Sequence, residues 1–304
     1  MAARPVRAAS RGSPLARWQA DHVAALLRAA DPDVEVEVVV VRTEGDRRTD
    51  VPIEAIGGRG VFAKEVQQAV LDGRADFAVH SAKDLPSAPD LQPAGLVLAC
   101  VPQRADPRDA LVGSRLSDLP TGAVVATGSV RRRAQLAAAR PDLRFAGLRG
   151  NIDSRLARAP EFGAIVMASA ALARLGRQAE IAEVLSTAVM VPQVGQGALA
   201  VECRADDAWL RGLLAAVEHR PSRRCVDAER AWLATLGGAC DLPVGALATE
   251  EEAGGDLRLE ALVASPDGAR VVRASATGAD PTVLGASLAA DLLDRQGGRA
   301  LLGR

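Results

Sequence analysis

Val194-Gly195-Gln196-Gly197-Ala198-Leu199-Ala200-Val201 is a short apolar run placed after Pro192. An apolar run of this length bounded by turn residues reads as a buried strand. It comes after two α/β units have been written out, so it is the candidate for a strand that returns to the first of them. If it returns, the second unit is an insertion.

Upstream, Val6 to Ala9 reads as a first strand, followed by Ser13 as N-cap and Pro14 at the first helical position. Leu15, Trp18, His22, Val23 and Leu26 recur at helical spacing. Val34 to Val38 alternates and then stays apolar through Val41, as suits a parallel strand covered by helices. Glu44 to Gly60, with Gly45, Pro52 and Gly57-Gly58, has no sustained period and reads as a mobile loop. A helix from Phe62 to Leu71 and a strand from Ala75 to Val79 follow. The alternation resumes with strands at Ala123 to Ala126, Arg144 to Leu148 and Ala164 to Ala168, and a helix at Arg131 to Ala139.

Downstream of Arg220-Pro221-Ser222 the pattern changes. A helix from Cys225 to Leu236 leads to strand-like Val244 to Ala248, Leu257 to Val263 and Ala269 to Ala274, then to a helix from Pro281 to Asp294. Strands grouped between two helices suggest a separate α+β domain. The residues themselves give two α/β units in tandem, a strand that could return to the first, and a separate C-terminal α+β domain.

A chain of 304 residues has room for two or three cores. The net charge of -1 argues against a generally basic nucleic-acid binder, and 2% aromatic content leaves little for base stacking. Anion binding must then be local. No run approaches a membrane span. The Ala/Arg/Ser-rich start lacks the apolar core of a secretory signal. Cys100, Cys203, Cys225 and Cys240 form no CxxC pair, so neither a zinc or other metal site nor a disulfide framework is expected. A cytoplasmic protein with reduced thiols is the expectation.

Positive charge is written almost wholly as arginine; of 37 basic residues only Lys64 and Lys83 are lysine. Lys83 lies in Val79-His80-Ser81-Ala82-Lys83-Asp84-Leu85-Pro86, just past a strand, where ligands gather in open α/β sheets. A compact ammonium is not interchangeable with a guanidinium fork. Thr127-Gly128-Ser129-Val130-Arg131-Arg132-Arg133 also follows a strand and opens a helix, whose free N–H groups and dipole favour anions. Arginines there oppose the dipole, so they serve either a solvated basic face or a ligand. Arg149-Gly150-Asn151-Ile152-Asp153-Ser154-Arg155 repeats the arrangement, and Arg11 also lies just past a strand. At least five arginines are thus expected to meet one polyanion through paired hydrogen bonds.

Asp84 among these cations is a poor acid but a good stabiliser of a developing cation; a salt bridge to Lys83 or a helix cap is the alternative. Cys240 follows Gly237-Gly238-Ala239 in a turn, where small residues let a bulky group approach, and spacing alone does not promote it over a buried inert thiol. His80 orients neighbours, since no Ser/His/Asp set is evident. Gly57-Gly58-Arg59-Gly60 lacks the GK[ST] of a P-loop.

At these residues the chain resembles the porphobilinogen deaminase (hydroxymethylbilane synthase) family. The resemblance runs through Arg7 to Trp18, Gly57 to Glu65, His80 to Asp84, Asp106 to Ala110, Gly128 to Leu136, Leu148 to Asn151 with Arg155, Val194 to Gly197 and Gly238 to Pro243. It implies an α/β fold of two lobes like those of periplasmic binding proteins, residues 1–99 with 194–215 and an inserted lobe of 100–193, plus a smaller C-terminal α+β domain of 216–304. It implies a dipyrromethane cofactor held by a thioether to Cys240. It also implies that Asp84 assists loss of ammonia from porphobilinogen and stabilises the azafulvenium cation. Four head-to-tail additions and a hydrolysis then release hydroxymethylbilane. Carried over residue by residue, Arg11, Ser13, Arg59, Ser81, Lys83, Thr127, Ser129, Arg131, Arg132, Arg149, Asn151 and Arg155 fit the family's binding roles. Phe62 would stack near the pyrroles and Gln196 lie in the hinge region. A monomer, with porphobilinogen as its small-molecule partner and neither nucleic acid nor membrane, is implied likewise.

The chain departs from the family's pattern at Arg59, where lysine is frequent, at Gly128, where serine is common, and at Gly238-Ala239-Cys240-Asp241, where Gly-Gly-Cys is usual. The rival readings are a two-lobed anion-binding protein without chemistry and a nucleic-acid module supported only by the arginine clusters.

Overall fold

The computed structural model describes residues 5–42, 63–237, 242–251 and 255–303. The expected loop at Glu44 to Gly60, and Arg59, Phe62 and Cys240, lie outside them. By contacts the chain divides into two compact units, Met1–Arg104 with Ala198–Arg223 and Ala105–Gly197 with Arg224–Arg304.

In the first unit β1 (Val6–Arg11) leads through Ser13 and Pro14 into α1 (Pro14–Ala30), where the Ser13 hydroxyl accepts from Ala16 N at 3.3 Å. The apolar stripe of α1, with Val23 and Leu27 fully buried, covers one face of the sheet. β2 (Val36–Val41) and β3 (Phe77–Ser81) pair with β1 in parallel, and α2 (Lys64–Leu71) covers the other face through Val66, Ala69 and Val70. β4 (Leu96–Cys100) ends this first passage. The returning strand is β10 (Leu199–Arg204), which runs antiparallel between β3 and β4. The sheet order is β2-β1-β3-β10-β4. Val194 to Gly197, expected as the start of that strand, is a turn instead. Gly195 and Gly197 take φ of 71° and 84°, a region that glycine enters without steric cost.

The second unit begins with β5 (Asp109–Val112), then β6 (Val124–Ala126), α3 (Val130–Ala139), β7 (Arg144–Ala146), α4 (Ile152–Ala157), β8 (Ala164–Ala168), α5 (Ser169–Arg174) and β9 (Ile181–Val184). Its sheet order is β7-β6-β8-β5-β9. Three strands are parallel, and β5 is antiparallel to both β8 and β9, the same plan as the first sheet.

After α6 (Ala208–Ala215), α7 (Arg220–Thr235) leads into the antiparallel meander β11 (Val244–Glu250), β12 (Leu257–Ala264), β13 (Val271–Gly278), packed under α7, α8 (Pro281–Asp294) and α9 (Gly298–Leu301) around the fully buried Trp232. This sheet has a core of its own and shares the second unit with the inserted sheet. Glu229 on α7 accepts from Gly195 N at 2.7 Å and Ala248 N at 2.9 Å. Ala134 of α3, Val191, Leu262 and Ala264 form a small joint core.

Two glycines test this packing with opposite signs. A Cβ at Gly285, on α8, would meet Ala228 O at 2.3 Å and Trp232 N at 2.7 Å. Gly285→Ala is expected to cost roughly 1–3 kcal/mol by overpacking. A Cβ at Gly212, on α6, meets nothing within 4 Å, so Gly212→Ala is expected to add about 0.5–1 kcal/mol through helix propensity. Urea unfolding of the two variants checks both.

Candidate active site

In the first unit, parallel pairing of β1 with β3 brings their carboxyl ends side by side. Arg11, Ser13 and Gln19 from β1 and α1, with His80, Ser81 and Asp84 from β3 and its turn, line a cavity of about 60 Å³. Two contacts hold Gln19, Ser81 and His80 in place. Gln19 Nε2 donates to Ser81 Oγ at 2.8 Å. His80 Nε2 lies 3.1 Å from Glu202 Oε2, which also accepts from Gln67 Nε2 at 2.8 Å. Asp84 is exposed and Lys83 half-buried on the single turn Ala82–Asp84. An exposed carboxylate next to an arginine and two hydroxyls provides one group for a cation and several for an anion.

In the second unit, the strand end of β6 runs into α3. Ser129 caps that helix, its hydroxyl accepting from Arg132 N at 3.4 Å, while Thr127 Oγ1 accepts from Ser129 N at 3.2 Å. A capping hydroxyl used as acceptor keeps its proton for an anion. Arg131 and Arg132, expected as a basic pair for a ligand, are 3% and 7% exposed and both engage Asp109, which is 0% exposed. Arg132 Nε and Nη2 donate to Asp109 Oδ1 at 3.0 and 2.7 Å, and Nη1 donates to Val166 O at 3.0 Å. Arg131 Nη1 lies 2.8 Å from Asp109 Oδ2 and donates to Val191 O at 2.7 Å. Gln196 is fully buried and gives its amide to Asp109 Oδ1 at 3.0 Å and Pro107 O at 2.7 Å. Arg133, the third of the run, is exposed.

Arg131 Nε is buried with no hydrogen-bond partner. Arg131 also lines a cavity of about 20 Å³ with Ser129, Gln193 and Leu242. A buried, unspent guanidinium donor beside a capping hydroxyl fits a carboxylate oxygen. In α4, Asn151 caps by accepting from Ser154 N at 2.8 Å, Arg149 is exposed, and Arg155 Nε donates to Gly150 O at 2.8 Å. At Gly128 a Cβ would stand 2.9 Å from Leu148 O. A serine there would therefore require the neighbouring strand end to move.

Four polar groups were missed by sequence reasoning. Gln19 falls on a helix face otherwise read as apolar. Glu202 is a charge inside the apolar β10, and Asp109 stands immediately before Ala110-Leu111-Val112; a carboxylate next to or inside a buried strand is the signal that was available. Arg174, at the end of α5, donates to Gly197 O at 2.7 Å, and burial lowers its pKa to about 10.

The acids and thiols are tuned by burial. Burial pushes the Asp109 carboxyl up, but Arg131 and Arg132 outweigh it and hold the group well below the ordinary carboxylate range. Burial raises the Cys100 thiol to about 12 and the Cys203 thiol to about 11.

The family model "Porphobilinogen deaminase, dipyromethane cofactor binding domain" matches residues 6–212, and "Porphobilinogen deaminase, C-terminal domain" matches 223–294. A porphobilinogen deaminase of Nitratidesulfovibrio vulgaris is 46% identical over 96% of this chain and 95% of its own length. That of Chromobacterium violaceum is 48% identical over 97% of this chain and 96% of its own length. Among solved structures, a nutrient binding protein from Burkholderia cenocepacia bound to methionine gives a TM-score of 0.42 at 12% identity, covering 77% of this chain and 96% of that one. At that score the likeness adds nothing to the assignment.

Because Asp109 is depressed in the folded state, its contribution to stability is present above the unfolded carboxylate pKa of about 3.9 and is lost as pH falls below it. Thermal melts between pH 5 and 2 should show a steep fall in the parent and a shallower one in Asp109→Asn. Cys100 and Cys203 should resist alkylation at neutral pH in the folded chain and react only on unfolding, since the thiolate is the nucleophile; mass spectrometry after brief iodoacetamide treatment checks this.

Proposed function

Because the chain belongs to the porphobilinogen deaminase family, we propose that Asp84 is its catalytic carboxylate and that the basic groups and hydroxyls of both units receive the carboxylates of the pyrroles. Enzymes of this family deaminate porphobilinogen and join it head to tail in tetrapyrrole biosynthesis, and this chain carries the family's dipyrromethane cofactor domain. The observation that carries the residue assignment is the placing of Asp84 at the first unit's strand ends, in one cavity with Arg11, Ser13 and Ser81.

Loss of ammonia from an aminomethylpyrrole leaves a delocalised cation. An aspartate held at the end of β3 stabilises that charge without leaving its place, because the turn bearing it is pinned by Ala82 N donating to Ala198 O at 3.0 Å. Arg11, Ser13, Ser81 and Lys83 orient the acetate and propionate arms by charge-assisted hydrogen bonds. When bound, the dipyrromethane supplies a pyrrole carbon as the point of chain growth. Cys240 is the attachment proposed for it. Thr127, Ser129, Arg131, Arg132, Arg149, Asn151 and Arg155 are proposed to hold its carboxylates, with Arg59, Phe62 and Gln196 in supporting positions. A monomer working in the cytoplasm completes the reading; among the described residues no helix is long and apolar enough to cross a membrane.

Cys240→Ala should fold yet show the mass of the bare chain, whereas Cys100→Ala and Cys203→Ala keep the adduct; an intact adduct in the Cys240 variant would sink the attachment. Asp84→Glu should keep the adduct and slow each addition on the order of a hundredfold, since about 1 Å of misplacement has that cost. Asp84→Asn should be slower still, having no charge for the cation. Single-turnover rates decide, and an Asp84→Asn enzyme as fast as the parent would remove the catalytic role.

A further inference from the structure

Asp109 stands at the start of β5, is fully buried, and receives two guanidinium groups and one carboxamide. Pairs such as Arg140 with Asp142 or Arg158 with Glu161 are more exposed; Asp76 also faces two arginines, but Arg7 and Arg204 are each about a quarter exposed and Arg204 has Asp207 as a second acid. At Asp109 two cations share one anion, which leaves one unit of positive charge in a place that water barely reaches. Among the described residues no second carboxylate pairs with either arginine.

A buried excess charge is costly unless something answers it. For a purely structural cross-link a neutral pair would be cheaper. The arrangement makes sense as a device for presenting cationic donors to an anion that arrives later. Donor accounting agrees. Three bonds use three of the five N–H groups of Arg132 and leave two. The Nη1 group of Arg131 is taken by Asp109 and Val191, while its Nε is buried without a partner.

We propose that Asp109 is a positioning residue for cofactor loading: its single buried charge locks Arg131 and Arg132 with their unspent donors aligned for carboxylates, and Gln196 locks Asp109. This rests on the reading that these two arginines receive the carboxylates of the dipyrromethane. Asp109 itself touches neither cofactor nor substrate. Its effect lies in removing the freedom of two long side chains before the ligand arrives, so that little ordering remains to be done on binding.

The test uses the full-length chain produced without porphobilinogen, so that the attachment site is bare. Porphobilinogen is added, and the growth of the covalent dipyrromethane mass is followed in time, at a temperature where circular dichroism shows every variant folded. Asp109→Asn keeps shape and removes the charge; it should load at least tenfold more slowly than the parent. Leu288→Ala, in the core around Trp232, should lose at least as much thermal stability and load at the parental rate. Loading by Asp109→Asn within twofold of the parent, or slowed no more than in Leu288→Ala, would overturn the proposal. Arg131→Leu and Arg132→Leu separate the two levels. If both load normally, the reading of the arginines fails; if they fail while Asp109→Asn loads, only the positioning role fails. Should Asp109→Asn not fold, nitrogen-15 NMR of the parent decides. The Arg131 and Arg132 Nε–H signals should exchange slowly in the bare chain, and fast exchange of both would contradict side chains locked in advance.

Discussion

A strand has hydrogen-bonding groups on two edges, and β10 is the element whose two edges hold the first sheet together. It pairs with β3 on one side and β4 on the other. Without it the facing edges of those strands, within a covered sheet, would be unsatisfied. The constraint reaches the site directly. Leu199 is opposite Ser81 and Ala200 opposite His80, so Glu202, opposite Ala78, reaches His80 along the diagonal. The strand end that leads to Asp84 is therefore held by a segment more than a hundred residues away in sequence. The second sheet repeats the plan, with β5 between β8 and β9, and the first residue of β5 is Asp109. In each sheet the antiparallel strand contributes the buried carboxylate that organises the polar groups nearby.

Charge is distributed by local need, since the chain as a whole is nearly neutral at -1. Most arginines among the described residues are occupied in ordinary structural ways. Arg7 spans Asp76 and the carbonyl of Gly73, and Arg140 clamps Asp142 and the carbonyls of Leu116 and Leu119. Planar forks suit such bridging because one side chain can serve an acid and a carbonyl together. The same geometry explains why residue type alone does not identify a ligand-binding arginine. In Arg131, Arg132 and Arg133 three identical side chains meet two environments, two of them buried on Asp109 and one in solvent.

Helix starts place capping side chains at the strand ends. Ser13, Ser129 and Asn151 all satisfy orphan N–H groups as N-caps. That duty orients the hydroxyls of the two serines at strand ends without consuming their protons. Capping and carboxylate binding are compatible because they use different atoms of one group. Gly128, just before Ser129, follows from the same crowding, since its backbone passes close to the carbonyl of Leu148.

Period and punctuation in the sequence were enough for the α/β class, the tandem units, α8 from Pro281 to Asp294, β8 from Ala164 to Ala168, and the start of α1 at Ser13-Pro14. These are local properties: side-chain direction, turn residues and caps act within a few residues. β4, β5, β9, α4, α5 and α6, each of four to eight residues, were not read; β6, β7 and α2 are no longer than these, and were found through the strand and helix alternation around them. Quoted motifs located Lys83, Asp84, Arg131 and Arg132. The partners that give them meaning were invisible: Glu202 for His80, Gln19 for Ser81, and Asp109 with Gln196 for the two arginines. Such pairs depend on which strand lies beside which and in what register, and that is decided only when the chain closes its sheets. Sequence determined which residue types were available at each strand end; tertiary structure decided which charges were spent internally and which donors were left unspent, because only strand order and register bring such partners together.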